Sequence, residues 1–328
     1  MLLRSGVLIG SSIVLALPGQ ANPPVPVGKP LPLEKRIRKL PAVPAKQLFR
    51  AARVGAAMAP ATHGYYTRGC LAGGVKLEDN GPAWQAMRLS RNRHRAHPNM
   101  IRLVKKLAAQ AQKLDGWPGL LVGDLSMPRG GPMRPAHASH QVGLDADIWL
   151  TPMPNRRLTR KERETTSATF MLTKNHLSVN RQVWTATHGK LIKRAASYRE
   201  VQRILVHPAI KKELCDTAGA DRAWLAKVRP VRGHNYHFHI RMRCPPGSPG
   251  CRPQKGPAPD DGCGAELDRW YKWLHARLKP KPKPKKPIKR KPRKRRPPIM
   301  LSDLPQACRA VLSAQDSLLV PKPRPAQR

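Results

Sequence analysis

Two short histidine-rich segments, HASHQVGLDAD at His137–Asp147 and HNYHFH at His234–His239, constrain this chain more than any other feature. They hold five of its twelve histidines, and Asp147 follows His140 closely. Imidazole and carboxylate are the ligands zinc takes when it keeps one coordination position open for water. Segments this far apart act as one site only if the fold lays them side by side, and the local patterns say how. Leu144–Leu150 (LDADIWL) alternates as a strand, with Asp145, Asp147 and Trp149 on one side and Ala146, Ile148 and Leu150 on the other. His237–Arg243 (HFHIRMR) alternates strictly. His237, His239, Arg241 and Arg243 face one way and Phe238, Ile240 and Met242 the other, as in a half-buried strand.

On these spacings His140 leaves a loop, Asp147 sits on the following strand, and His239 closes a triangle from the distant one. Two imidazoles and a carboxylate leave room for a water whose pKa falls to about 7 on zinc. The hydroxide so formed attacks an amide carbonyl that the metal polarises. His237 is the candidate general base, since i and i+2 of a strand share a face and neutral imidazole titrates near pH 7. His234, on the preceding turn, orients substrate or holds His237. His137 is a partner behind the ligands, a substrate contact or an alternative ligand. The remaining histidines (His63, His94, His97, His176, His188, His207 and His275) are scattered and read as ordinary polar residues.

Around these segments the pattern alternates helix and strand. Apolar residues at Ile101, Val104, Leu107, Ala108, Ala111 and Leu114 have helical spacing, and Asp115-Gly116 stops the helix. Leu120–Leu125 and Ile204–Val206 read as strands, Pro208–Cys215 as a helix with proline in its first turn, and Ala223–Val228 as another helix. A helix over Gly264–Leu278 is expected to bury Leu267, Trp270, Tyr271 and Leu274. The Gly/Pro-rich Ser126–Pro135 lacks the Gly-Lys-Ser/Thr ending of a phosphate loop and reads as a lip of the cleft.

Charge and destination narrow the function. Sixty-two Lys and Arg against nineteen Asp and Glu give +43, a field that attracts nucleic acid, anionic lipid or an acidic wall polymer. The N-terminus argues for export: MLLR, an apolar Val7–Leu17 and small residues before Ala21 read as a signal peptide over 1–21. No later run approaches the roughly 18 apolar residues of a membrane span. Six cysteines without a C-x-x-C pair (Cys70, Cys215, Cys244, Cys251, Cys263, Cys308) allow up to three disulfides, in any of fifteen connectivities. An exported, oxidised, basic protein meets the cell wall, and nucleic acid is disfavoured as a partner. The expected organisation is a Pro/basic arm over 22–63, a catalytic domain over 64–278, a Lys/Arg/Pro-rich linker over 279–300 and a C-terminal segment over 301–328 held through Cys308.

The segments GDLSMPRGGP, HASHQVGLDADIWL, VHPAIKKELC, DRAWLAKVRP, HFHIRMRCP and DGCGAEL together resemble the penicillin-insensitive murein endopeptidases of Gram-negative bacteria. These belong to the lysostaphin, D-Ala-D-Ala carboxypeptidase and hedgehog fold group of zinc peptidases. The resemblance covers residues 64–275 and, weakly, the segment around Cys308. It implies an α+β fold, with a small antiparallel sheet carrying the zinc site, flanked by helices and stapled by disulfides. It further implies a periplasmic enzyme that cleaves the D-alanyl–meso-diaminopimelyl amide of peptidoglycan crosslinks. The ligands carry over to His140, Asp147 and His239, with His137 counted beside them and His234 and His237 as the other active-site histidines. The disulfides carry over as Cys70–Cys308, Cys215–Cys263 and Cys244–Cys251. Two departures stand out. TKNHLSVN places Asn175 and Ser178 where some members carry ligands of a second metal, so one zinc per chain is expected. Tyr236 and His237 stand where related carboxypeptidases use a Glu base, which favours His237. The rival readings are a D,D- or L,D-carboxypeptidase on uncrosslinked stems and a non-enzymatic cationic wall- or DNA-binding protein.

Overall fold

The strand pattern around the second histidine cluster is realised at the centre of a sheet. The computed structural model describes residues 42–133, 137–280 and 297–316. The expected signal peptide, the first half of the N-terminal arm, most of the basic linker and the last residues lie outside the described residues. Eleven strands are described: β1 Ala61–Tyr65, β2 Arg68–Ala72, β3 Val75–Lys76, β4 Asn80–Gly81, β5 Trp84–Ala86, β6 Arg95–Ala96, β7 Leu120–Val122, β8 Asp145–Trp149, β9 Val201–Val206, β10 Val228–Pro230 and β11 His237–Met242. The helices are α1 Ala45–Ala51, α2 Pro98–Asp115, α3 Arg160–Thr165, α4 Ala186–Ser197, α5 Pro208–Thr217, α6 Ala265–Leu278 and α7 Ala307–Ser313.

The main sheet is larger than the resemblance implies, and it is mixed. Seven strands run in the order β10-β9-β11-β8-β7-β5-β4. β11 is antiparallel to β8 and β9, whereas β10 runs parallel to β9 and β5 parallel to β7. The extra strands follow from the helices. α2 joins β5 to its parallel neighbour β7, and such a pair needs a long crossover connection. α2 and α4 pack on each other, α2 against β8 and α4 against β9, and the inward residues of all four share one core with Ala146, Ile148, Phe238 and Ile240. Mixed α+β architecture with flanking helices and three disulfides is therefore present.

β8 and β11 are buried along their whole length, not half-buried. Their apolar face meets the helices, and their polar face is covered because it forms the site described below. α2 begins on His97, whose ring accepts from the Asn99 N–H, with Pro98 in the first turn. It ends at Gly116 with φ 69°, the left-handed stop expected from Asp115-Gly116. Leu114 departs from the apolar stripe and is 58 % exposed. Asp115 turns in instead and pairs with Arg194 at 2.8 Å. α6 buries Leu267 and Leu274. Trp270 and Tyr271 stay partly exposed, and the Tyr271 hydroxyl donates to the Leu177 carbonyl at 2.6 Å.

Residues 297–316 of the C-terminal part pack on the domain. Cys308 and Val311 of α7 pack with Phe49, Cys70, Met127 and Met133 in a second apolar cluster. The loop read as a lip of the cleft is instead buried from Met127 to Met133. Its Arg129, 3 % exposed, donates to the carbonyls of Val311 and Leu312 at 2.7 Å each and pairs with Asp316 at 2.7 Å. A buried guanidinium is tolerated because carbonyls and a carboxylate surround it. The disulfides are Cys70–Cys308, Cys215–Cys263 and Cys244–Cys251, the pairs that the resemblance implies.

Candidate metal centre

Register decides which side chains meet. His239 stands opposite Asp147 on the β8–β11 ladder, His237 opposite Trp149 and Arg241 opposite Asp145. Since alternate residues share a face, Asp145, Asp147, His237, His239 and Arg241 all project to one side. His140 arrives from the loop before β8 in a left-handed conformation, φ 66°, which turns its ring back over that face. Three residues later Gly143, φ 71°, lies so close to Leu71 and the His97 amide that a Cβ there would meet them at 2.7 and 2.9 Å. Only glycine fits that turn.

Each ring is then held by one nitrogen. His140 Nδ1–H donates to the Leu125 carbonyl at 2.6 Å, and His239 Nε2–H donates to Asp145 Oδ1 at 2.8 Å. A neutral imidazole has a single N–H, so both remaining nitrogens are lone-pair donors. They meet Asp147: His140 Nε2 lies 3.1 Å from His239 Nδ1 and 3.3 Å from Asp147 Oδ1, and His239 Nδ1 lies 3.1 Å from that same oxygen. Three acceptors in mutual contact repel unless a cation sits among them. Ligands around tetrahedral zinc, each about 2.0–2.1 Å from the ion, stand about 3.3 Å apart. The donor set fits a metal ion.

His137 completes a wider group. Its ligand atom and those of His140 and Asp147 lie within 4.8 Å of one another, so these three could hold a metal ion. Its Nε2 is engaged with Asp124 Oδ2 at 2.8 Å, and its Nδ1 is 3.6 Å from Asp147 Oδ2. His237 Nε2 is 3.6 Å from Asp147 Oδ1, and its Nδ1 is buried with no hydrogen-bond partner among the described residues. His234, also left-handed at φ 56°, meets the Arg232 carbonyl through Nδ1 at 3.3 Å; its ring sits 4.8 Å from that of His237 and 5.9 Å from that of His239. A cleft of about 270 Å³ opens beside these groups, lined by Asp147, His137, His237, Tyr236, Trp149 and Arg91 among others.

The relatives of this chain carry one description. The family model for penicillin-insensitive murein endopeptidases matches residues 62–313. The penicillin-insensitive murein endopeptidase of Haemophilus influenzae is 44 % identical over 208 residues, covering 63 % of this chain and 72 % of that protein. Those of Klebsiella pneumoniae and Escherichia coli O9:H4 are 40 % and 39 % identical over 249 residues, 76 % of this chain and 85 % of each relative. The chain belongs to the penicillin-insensitive murein endopeptidase family.

In this family member two carboxylates support the site that the motif reading did not single out. Asp145 binds His239, accepts from the His140 backbone N–H at 3.0 Å and accepts from Arg241 Nε at 2.8 Å. Asp124 holds His137 and is flanked by Arg93 and Arg91. Asp145 was visible in the alternation of LDADIWL; Asp124, two residues past β7, lies inside the quoted GDLSMPRGGP segment, where no spacing marks it as a site residue. The scattered histidines are spent elsewhere. Those of His94 and His188 meet the Met87 and Leu150 carbonyls at 3.1 and 3.0 Å, and those of His97 and His207 cap helices.

The electrostatics show the same demand for a cation. Burial pushes the His140 imidazolium down, but the Asp147, Asp145 and Asp124 charges outweigh it and raise it to about 9. Burial likewise disfavours the Asp147 carboxylate, yet the His140 and His237 charges hold it well below its usual range. Without metal, then, His140 keeps a proton below about pH 9, and an entering ion displaces it. Metal affinity is expected to fall about tenfold per pH unit as pH drops from 9 toward 6. Chelator competition across that range reads the slope, and a flat profile would contradict it. His237 behaves oppositely. Burial, assisted by His239, lowers its pKa despite Asp147, so the ring is neutral near pH 7. His234 is pushed down to about 3 by burial and its two histidine neighbours.

Proposed function

We propose that this chain is a zinc endopeptidase that hydrolyses the D-alanyl–meso-diaminopimelyl amide crosslinks of peptidoglycan in the periplasm. The observation that carries the reading is the convergence of His140 Nε2, His239 Nδ1 and Asp147 Oδ1 at 3.1–3.3 Å beside an open cleft in a murein endopeptidase family member. His140, Asp147 and His239 hold one zinc per chain, with His137 beside them. Zinc, when bound, supplies Lewis acidity toward the amide carbonyl and lowers the pKa of water. The residues do the rest. Leu125 and Asp145 fix the two ligand rings in the tautomer that points lone pairs inward. His237, neutral near pH 7 and with Nε2 3.6 Å from Asp147 Oδ1, takes the proton of the attacking water and returns it to the leaving amine. His234 packs on His237 and holds its ring.

Digestion of purified sacculi, with muropeptides read by mass spectrometry, tests the reading. Crosslinked dimers falling to monomers, with a chelator stopping the reaction, is the expected result. Loss of terminal D-Ala with dimers intact would make the enzyme a carboxypeptidase. Persistence of both substrates would leave a non-enzymatic wall-binding protein. His237→Ala separates chemistry from metal: zinc content is expected to stay at one per chain while kcat falls about 10²–10⁴-fold. Loss of zinc in that variant would make His237 a ligand.

Export through residues 1–21 places the three disulfides in an oxidising compartment. Among the described residues no helix is long and apolar enough to cross a membrane. The linker tethers the enzyme to its acidic, insoluble substrate, since twelve of the eighteen residues in Lys279–Arg296 are Lys or Arg. Deleting that segment is expected to weaken sacculus pull-down at low salt and leave cleavage of soluble dimers intact. Unchanged pull-down would place the tether on the rest of this basic protein.

A further inference from the structure

Besides the histidines, the cleft is lined by two arginines, Arg88 and Arg91. Arg88, Leu89, Ser90, Arg91 and Asn92 form a single tight turn whose ends, Arg88 at φ 59° and Asn92 at φ 51°, are both left-handed without being glycine. Backbone of that kind is held by its surroundings and collects at functional sites. Here the anchor is Arg88, whose guanidinium donates to the Arg163 carbonyl at 3.1 Å and the Thr166 carbonyl at 2.8 Å and lies over Trp149. Its donors are spent on the scaffold, and it contributes only charge to the cleft it lines.

Arg91 is placed differently. Asp124 is buried and already has two closer partners on Oδ2, His137 at 2.8 Å and Arg93 at 2.9 Å. Arg91 reaches the same oxygen through one nitrogen at 3.2 Å, and its side chain stays 46 % exposed. Its other N–H groups have no partner among the described residues. Asp124 is thus neutralised without Arg91. The result is a positioned guanidinium with free donors on the rim of a cleft that also contains Asp147 and His237. Arg is the side chain best suited to bind a carboxylate through paired hydrogen bonds.

We propose that Arg91 is the carboxylate anchor of the cleft and receives the free carboxylate on the substrate carbon whose amine forms the scissile amide. The inference rests on the endopeptidase reading above, in which the diaminopimelyl residue carries that carboxylate next to the bond broken. Arg88 adds attraction at longer range, and the anchored carboxylate holds the substrate in the cleft equally in the ground state and the transition state. A substrate whose carboxylate is converted to a carboxamide loses the charge that Arg91 recognises.

The test compares two purified crosslinked muropeptide dimers, one with the free diaminopimelyl carboxylate and one amidated there, using zinc-loaded full chain. For wild type, KM is expected to be about 10–100-fold lower for the carboxylate dimer. Arg91→Ala should raise KM for that dimer by the same factor, leave kcat within about twofold and leave the amidated dimer unaffected. Arg91→Lys should recover part of the loss. Zinc content, measured on each variant, is expected to be unchanged. Equal losses on both dimers, or loss of zinc, would show that Arg91 acts through Asp124 on the metal site, and the proposal would fail while the enzyme's activity stood. Wild type that cleaves neither dimer would remove the endopeptidase reading and this proposal with it.

Discussion

His140→Ala is expected to abolish crosslink hydrolysis and zinc retention together, with kcat/KM down by about 10⁴-fold or more. His140 contributes one of three converging donors, and its ring is fixed by the Leu125 carbonyl with no slack to be taken up by a neighbour. Removing it leaves His239 and Asp147, two donors 3.1 Å apart, and two ligands do not retain zinc against dilution or chelation. Without the ion the amide loses Lewis-acid stabilisation worth several kcal/mol, and each 1.36 kcal/mol is about tenfold in rate. His137, next to the vacated position but tied to Asp124, decides the alternative outcome. Partial zinc retention with residual activity in His140→Ala would mean that His137 swings in as a ligand. Metal content by mass spectrometry and dimer cleavage, measured on one preparation, distinguish the two.

The second large effect is on stability. Cys70→Ser with Cys308→Ser is expected to cost about 5 kcal/mol and lower Tm by about 10–20 °C. The bond closes a loop across 238 positions, and the entropy regained by the unfolded chain grows with the logarithm of that length. The reduced variant also frees α7, whose carbonyls hold Arg129 in the loop that precedes His140. Opening the Cys244–Cys251 bond, with a separation of 7, should cost about 2 kcal/mol. Calorimetry on both pairs checks the ordering. Equal shifts would show that loop entropy does not dominate and that local packing around each bond does.

Much of the site was legible because its spacing is local. A strand alternates with period two, so HFHIRMR and LDADIWL each declare a face. The sheet around them was less legible. β4, β5 and β10 are two or three residues long, too short to carry an alternation, and two of the sheet's strand pairs are parallel through distant connections. The loop at Ser126–Pro135 misled for a related reason. Glycine and proline mark irregular backbone, and they do not say whether another part of the chain will cover it. Trp270 was placed in the core by helical period, yet the apolar stripe of α6 narrows to Leu267 and Leu274.

The sequence alone determined the chemistry: which residue types are present, that two clusters must converge, and which strand faces carry the histidines and aspartates. Those properties follow from covalent order and backbone period. Only the tertiary structure decided that His239 stands opposite Asp147, that Asp145 and Asp124 hold the rings from behind, and that Arg91 is left with free donors in the cleft. Register, burial and the sharing of one carboxylate among several cations are pairings between distant segments. Helices and cross-linked loops impose them, and no local pattern records them.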